Sequence, residues 1–386
     1  MEYKHLKRLL GKRAINSPNI LEAYSYDASG LVLKPSIVLR PRRSSEVKKI
    51  IDYANRYRYK LLPRGFGTNN VGGAITSDIL IDLSAMNDYK IVIDKRYVDM
   101  QPGARISDVR KSLPEGLDID IYPCTLVEPS IGGLIASGIH SREQDIDYLY
   151  SQILEVEAID GTGKQYVFKD ASRIFGTEGT LFIITRIRLA LSEKKTYRSY
   201  SIKNYNSLID LLVEAKKAEK ESSITAIDIY SPLASRMLGF EESWLLIKTY
   251  LDPIGEYKTN EKVMAIKKKL ESLHFSMASK GHITQESIIS KNYAFEALNN
   301  IHKKGMPAML HYLNGYMHVY IKNNDISQLR DFYDSLLLHS SIPGGHGYGL
   351  LKKKYVPPGI KNRYRKLKDT YDYNNILSPG KIISYR

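Results

Sequence analysis

The chain has 386 residues, with 57 Lys+Arg against 42 Asp+Glu for a formal net charge of +15, and 43% of its residues are hydrophobic against 26% charged. That balance can bury a core, which excludes general disorder, and the length fits two or three domains. A single cysteine, Cys124, excludes an internal disulfide framework, a CxxC redox pair, a Cys-ligated iron–sulfur cluster and a Cys-rich zinc ribbon, so any electron chemistry needs a bound cofactor.

The stretch MEYKHLKRLLGKR lacks the apolar core of a signal peptide, and no run reaches the ~18–20 apolar residues of a membrane span, so the expected location is the cytoplasm. The positive charge suits a polyanionic cofactor, nucleic acid or anionic lipid. Basic residues are spread along the chain (Lys216, Lys217, Lys267 to Lys269, Lys352 to Lys354) with no zinc-finger, RNP or helix-turn-helix signature, which argues against nucleic acid. Peripheral contact with an anionic membrane face is compatible with the charge.

Residues 31–40 (LVLKPSIVLR) read as a strand, and a helix follows from Ser44 with Val47, Ile50, Ile51 and Ala54 at i, i+3, i+4 and i+7. A strand at Leu61-Leu62 runs into the glycine-dense PRGFGTNNVGGA, and further strands are expected at 79–83 and 91–94. This β-α-β alternation indicates an α/β unit that binds through the loop after its second strand. From 98 to 192 short strands alternate with Gly/Pro turns, including a hairpin signal at Asp160-Gly161-Thr162-Gly163, which reads as a second lobe of the same domain. A cap is expected from 193, with helices near 207–220, 260–272 and 325–339, strands ITAIDIY and WLLIKTY, and a hairpin at 309–321. The tail is again punctuated by Gly and Pro.

In the first glycine loop, Gly65, Gly67, Gly72 and Gly73 remove side chains from a segment rich in amide donors, which can then approach a diphosphate. It is neither the Rossmann GxGxxG nor a P-loop, since no GK[ST] follows. Two more small-residue loops are read at Ser130 to Ser141 (SIGGLIASGIHS) and Phe175 to Thr180 (FGTEGT).

This ordered set resembles the FAD-linked oxidases of the vanillyl-alcohol oxidase type, particularly the glycolate oxidase and D-lactate dehydrogenase branch. The resemblance rests on Pro63 to Gly73, Pro102-Gly103, Ser130 to Ala136, Phe175 to Thr185 and Ser378-Pro379-Gly380-Lys381, and covers 30–192 and 344–382 well and the cap loosely. It implies an α+β fold: a two-lobed FAD-binding domain (1–192, lobes about 31–97 and 98–192), an α+β cap with an antiparallel sheet (193–343), and a segment 344–386 returning to the FAD domain. FAD would be held by Pro63, Arg64, Gly65, Phe66, Gly67, Thr68, Asn69 and Gly73, by Pro129, Ser130, Ile131, Gly132, Gly133, Ala136, Ser137 and Gly138, and by Glu178, Gly179, Ile183 and Ile184. Covalent relatives carry a flavin-linking His in the first loop. The corresponding residue here is Thr68, so noncovalent FAD is expected, with Cys124 a structural thiol.

His311 and His318 flank Asn314-Gly315, a two-residue turn signal that would set the two imidazoles directly opposite each other on one sheet face. Such a pair can share a metal or line an active site. In the resembling D-2-hydroxyacid dehydrogenases a pair so spaced, with a Glu from a GEHG motif, binds a divalent metal. The motif here is Gly344-Gly345-His346-Gly347, which leaves two neutral ligands, a poor set for zinc unless His346, water or substrate completes it. His346 is the expected general base and His140 the second candidate, because the hydroxyl proton must leave as hydride passes to flavin and imidazole titrates near neutral pH. Arg236, Lys248, Lys291 and Lys352 are available to hold a substrate carboxylate. The expected activity is oxidation of a small-molecule 2-hydroxy acid such as D-lactate or glycolate, with electrons passing to dioxygen, a quinone, a dye or a partner subunit. The alternatives are an aldonolactone or alditol oxidase, an enzyme like alkylglycerone-phosphate synthase, and a noncatalytic FAD-binding subunit of a larger complex.

Overall fold

The computed structural model describes residues 3–121, 128–138, 146–194, 199–251, 255, 260–322, 325–338 and 347–383; Cys124, His140 and His346 lie outside the described residues. Four strands, β1 (Ala14–Ile15), β2 (Ile37–Leu39), β3 (Leu61–Arg64) and β4 (Ile79–Asp82), form a first sheet in the order β1-β2-β4-β3, with β2, β4 and β3 parallel. The crossover helix Ser44–Tyr57 buries the four apolar residues of its periodic stripe against this sheet.

A second, antiparallel sheet takes β5 (Tyr89–Val92) and β6 (Tyr97–Met100). After the short β7 (Leu117–Asp118) it continues with β8 (Ile153–Asp160), β9 (Gln165–Phe168) and β10 (Phe182–Ala190), in the order β5-β6-β10-β8-β9. The two-residue β11 (Ser192–Glu193) pairs with β7. The strand expected at 91–94 therefore opens the second sheet instead of closing the first, and the seam between the lobes falls before residue 89. A short turn lets β5 pair antiparallel with β6, whereas joining the parallel sheet requires a crossover. Residues 160–163 do turn, with Asp160 Oδ1 accepting from the amides of Thr162 (2.8 Å) and Lys164 (2.9 Å). The second glycine stretch is a helix and not a loop: Ile131–Ser137 starts at Ser130, whose Oγ accepts from the Gly133 amide at 3.2 Å.

The cap is a six-stranded antiparallel sheet of β12 (Ser199–Tyr205), β13 (Ile224–Tyr230), β14 (Trp244–Tyr250), β15 (His282–Ile288), β16 (Ala308–His311) and β17 (Tyr316–Lys322), in the order β12-β14-β13-β16-β17-β15. Helices Leu208–Ala218 and Ala294–Lys303 pack on one face and Asn260–Ser279 on part of the other. The β16–β17 turn differs from the expected two-residue form. It has four residues, 312–315, so that His311 pairs with Tyr316 and Met309 with His318. Neighbouring strands impose this: the Tyr312 amide donates to Ile227 O at 2.8 Å, and Gly315 O accepts from the Ile289 amide at 2.9 Å. A slip of two residues preserves the faces, so the two imidazoles meet diagonally, with ring centroids 5.1 Å apart and planes at 86°.

The tail packs on the first domain through the helix Pro358–Tyr371 and a bridge between Leu61 and Leu377. Its anchor is a buried ion pair, Lys368 with Asp372 at 2.6 Å, in which Lys368 Nζ also donates to Thr180 O. Among the described residues no helix is long and apolar enough to cross a membrane.

Candidate active site

A cavity of about 430 Å³ lies where the loop after β3, the first turn of the helix Ile131–Ser137, residues 178–179 and the start of β10 face the cap. All of the residues assigned above to FAD line it except two. Ile131 is fully buried in the core between its helix and the second sheet, and Gly138 ends that helix at φ +70°.

The glycine side of the cavity fits a diphosphate-bearing cofactor. The amides of Phe66, Gly67, Thr68, Asn69 and Asn70, all on the cavity wall, donate to no partner among the described residues. Gly132 packs so closely on the turn at 102–103 of its own lobe that a Cβ there would lie 2.6 Å from the Cβ of Pro102, while its own amide reaches Pro102 O at 2.9 Å. Arg64 braces this loop from beneath: its guanidinium donates to Tyr26 O (2.8 Å) and Ala74 O (2.9 Å), and burial lowers its pKa. The C-terminal SPGK has a structural reason. Lys381 Nζ donates to the carbonyls of Gly72 and Ile75, and Ser378 Oγ to Gly179 O at 2.9 Å, so one short segment ties down two cavity loops. Glu178 accepts from the amides of Tyr348 (2.6 Å) and Gly349 (2.8 Å), and burial raises its pKa despite those bonds.

The cap side is made by Ala278, His282, Thr284, Glu286 and His318. His318 therefore faces the cavity, while His311 sits one strand behind it and is absent from the lining. His311 Nδ1 lies 2.6 Å from Asp228 Oδ1, and His318 Nδ1 lies 3.3 Å from Glu286 Oε1, with all four side chains almost wholly buried. Asn70, on the glycine loop, donates to Glu286 Oε1 at 3.1 Å, and Gln285 Nε2 donates to Asn70 O at 3.0 Å, so β15 grips the cradle directly.

Of the four cations considered for a substrate carboxylate, Arg236 pairs with Glu242, Lys248 with Glu214 and Lys291 with Glu219, and none of the three lines the cavity. Lys352 alone among them is fully buried beside the site. Burial pushes its pKa down to about 8, against the pull of Glu286 and Glu178. Sequence reasoning missed His282, Thr284 and Glu286, because HITQESI shows no apolar alternation; Asp228, a lone carboxylate within the apolar ITAIDIY, was a visible signal of a buried polar role.

The metal implied for the histidine pair fits less well. Among the described residues no three His, Cys, Asp or Glu side chains converge as a ligand set. The carboxylates beside the pair face the rings' Nδ1 atoms, and His311 Nε2 is buried without a partner among the described residues. With glycine at 345, this donor set does not match the divalent site of the resembling enzymes.

Comparison with known proteins agrees with the geometry. Residues 35–169 match the family described as FAD binding domain. The chain is similar to the glycolate oxidase subunit GlcD of Bacillus subtilis (strain 168), at 24% identity over 94% of this chain and 92% of that one. It is also similar to the mitochondrial D-lactate dehydrogenase [cytochrome] of Arabidopsis thaliana, at 23% identity over 90% and 73%. Among solved structures, p-cresol methylhydroxylase with substrate bound has a TM-score of 0.76 at 15% identity, covering 98% of this chain and 96% of that one. An alkyldihydroxyacetonephosphate synthase reaches 0.72 at 15% identity over 99% and 85%. The chain thus carries an FAD binding domain in residues 35–169, shares the fold of p-cresol methylhydroxylase, and is similar along most of its length to a glycolate oxidase subunit and a D-lactate dehydrogenase.

Proposed function

We propose that this protein oxidises a small 2-hydroxy acid of the D-lactate or glycolate kind, using noncovalently held FAD. The observation that carries the reading is one cavity with a diphosphate cradle on one side and an imidazole, His318, on the other. FAD, when bound, accepts a hydride from the substrate carbon. The chain's own part is to hold the cofactor by loop amides, to present His318 to the substrate hydroxyl, and to set the positive charge of Lys352 beneath that wall. His346, in its Gly-His-Gly setting, is the residue proposed to take the hydroxyl proton, with His140 second. Near-full-length similarity to GlcD supports the substrate class.

Anaerobic mixing with hydroxy acids, polyols and lactones tests the reading. Bleaching of the flavin by a D-2-hydroxy acid is expected, and bleaching by none of the panel rejects the reading. His346→Asn should slow that bleaching by ~10²–10⁴-fold with the FAD spectrum intact. Acid precipitation should leave FAD in the supernatant, because Thr68 cannot form a histidyl link; flavin in the pellet rejects that point. A second reading, oxidation of a neutral polyol or lactone, is favoured by Glu286: a carboxylate in the cap wall accepts from hydroxyls and repels acids. We place the protein in the cytoplasm, and reoxidation of the reduced flavin by dioxygen, a quinone or a dye identifies the acceptor.

A further inference from the structure

Four buried ionisable side chains cross the cap sheet in a row. Asp228 on β13 pairs in register with His311 on β16; His311 meets His318 on β17 diagonally; His318 pairs in register with Glu286 on β15. Strand order and register alone bring them onto one face, and only the last two reach the cavity. Burying two carboxylates under a sheet is costly unless each is bonded: Asp228 is hydrogen-bonded to His311, whereas Glu286 accepts from Asn70 and approaches His318 Nδ1 at 3.3 Å as a charge contact. Asp228 accepts from His311 Nδ1, fixing that ring's tautomer and tilt, and the perpendicular contact with His311 limits how His318 can turn. Glu286 closes the row and is tied to the cradle by Asn70.

We propose that this chain holds its histidine pair with carboxylates in place of a metal: Asp228 is the positioning residue for His311 through a hydrogen bond, and Glu286 supplies the negative charge beside His318 in the cavity wall. The inference rests on the proposed flavin-dependent oxidation at this cavity, but two of its readouts need no substrate.

The test uses the FAD-loaded full chain. Metal analysis after purification without chelator is expected to find far less than one zinc or manganese per flavin, and dialysis against a chelator is expected to leave flavin reduction unchanged. The proton spectrum should show a strongly deshielded exchangeable resonance from His311 Nδ1–H, lost in Asp228→Asn and kept in Glu286→Gln. Both variants should keep the flavin spectrum and lower the rate constant of flavin reduction by ~10–100-fold, the usual effect of removing an orienting partner. The substrate dissociation constant should move much less, and Asp228→Glu should recover part of the rate. Stoichiometric metal whose removal stops reduction overturns the proposal, as does Asp228→Asn with the wild-type rate or with the resonance retained. Should Asp228→Asn not fold, Asp228→Glu and Glu286→Gln decide by the same split between rate and binding. If no substrate reduces the wild-type flavin, the functional reading has failed, and metal content and the resonance still decide the row.

Discussion

The two walls of the cavity are built in opposite ways. The cradle wall is backbone: glycines, free amides and a helix start, contributed by short segments whose chemistry is contiguous in sequence. The cap wall is side chains from two adjacent strands, β15 and β17, brought together by strand register and backed by a row of residues reaching β13. A backbone wall tolerates almost no added bulk, whereas a side-chain wall tolerates isosteric change and responds through charge. The contrast predicts effects of different size and kind.

The largest effect is expected in the cradle. Gly132→Val drives its new carbons into Pro102, and Gly67→Val places a β-branched residue at φ +71°, so both variants should purify without flavin absorbance. A variant that keeps one FAD per chain removes its loop from the cradle. Next comes the tail that braces this wall. Lys368→Met leaves Asp372 charged and buried, and should lower unfolding stability by about 3–5 kcal/mol in urea melts. Replacing both partners by apolar residues should restore part of it; no restoration would mean that the pair acts through its backbone bonds, from Lys368 to Thr180 O and Leu377 O and from the amides of Ile376 and Leu377 to Asp372.

A smaller effect follows from the two buried lysines, one serving each wall. Burial holds Lys352 and Lys381 at about 8 when folded, against 10.5 for the ordinary side chain. The unfolded chain therefore binds more protons between these values, so their contribution makes stability rise from about pH 8 towards 10.5, and the penalty is complete below 8. Urea midpoints measured from pH 7 to 10 should climb, and Lys352→Met should flatten part of the slope. An unaltered slope in that variant assigns the effect elsewhere. The smallest effect on the cofactor is expected where the walls touch: Gln285→Leu removes its hydrogen bond to Asn70 O, and also the one it accepts from Tyr333, and should weaken FAD binding by about 1 kcal/mol without changing the flavin spectrum. Unchanged affinity would make the cap and cradle energetically independent.

The same contrast decides what was legible in the sequence. Each glycine-rich segment of the cradle wall stands out within a dozen residues, because a close approach of backbone demands glycine locally; that Ile131 turns into the core and Gly138 ends the helix depends on the helix that forms there. The cap wall has no such signature. Glu286 lies in HITQESI, a strand whose polar residues are buried by other parts of the chain and not by its own alternation. The Asn314-Gly315 turn was read from local preference, and the hydrogen bonds of β13 and β15 to its flanks overrode it. His311 and His318 still met, because a slip of two residues leaves a side chain on its face.

The bond from Lys381 to the carbonyl of Gly72 spans 309 residues, and it completes a loop that leaves the ribosome early. Without that lysine the carbonyls at 72 and 75 lose their buried donor. A chain lacking residues 378–383 would carry every glycine of the cradle and lose the bonds that tie down two of its loops.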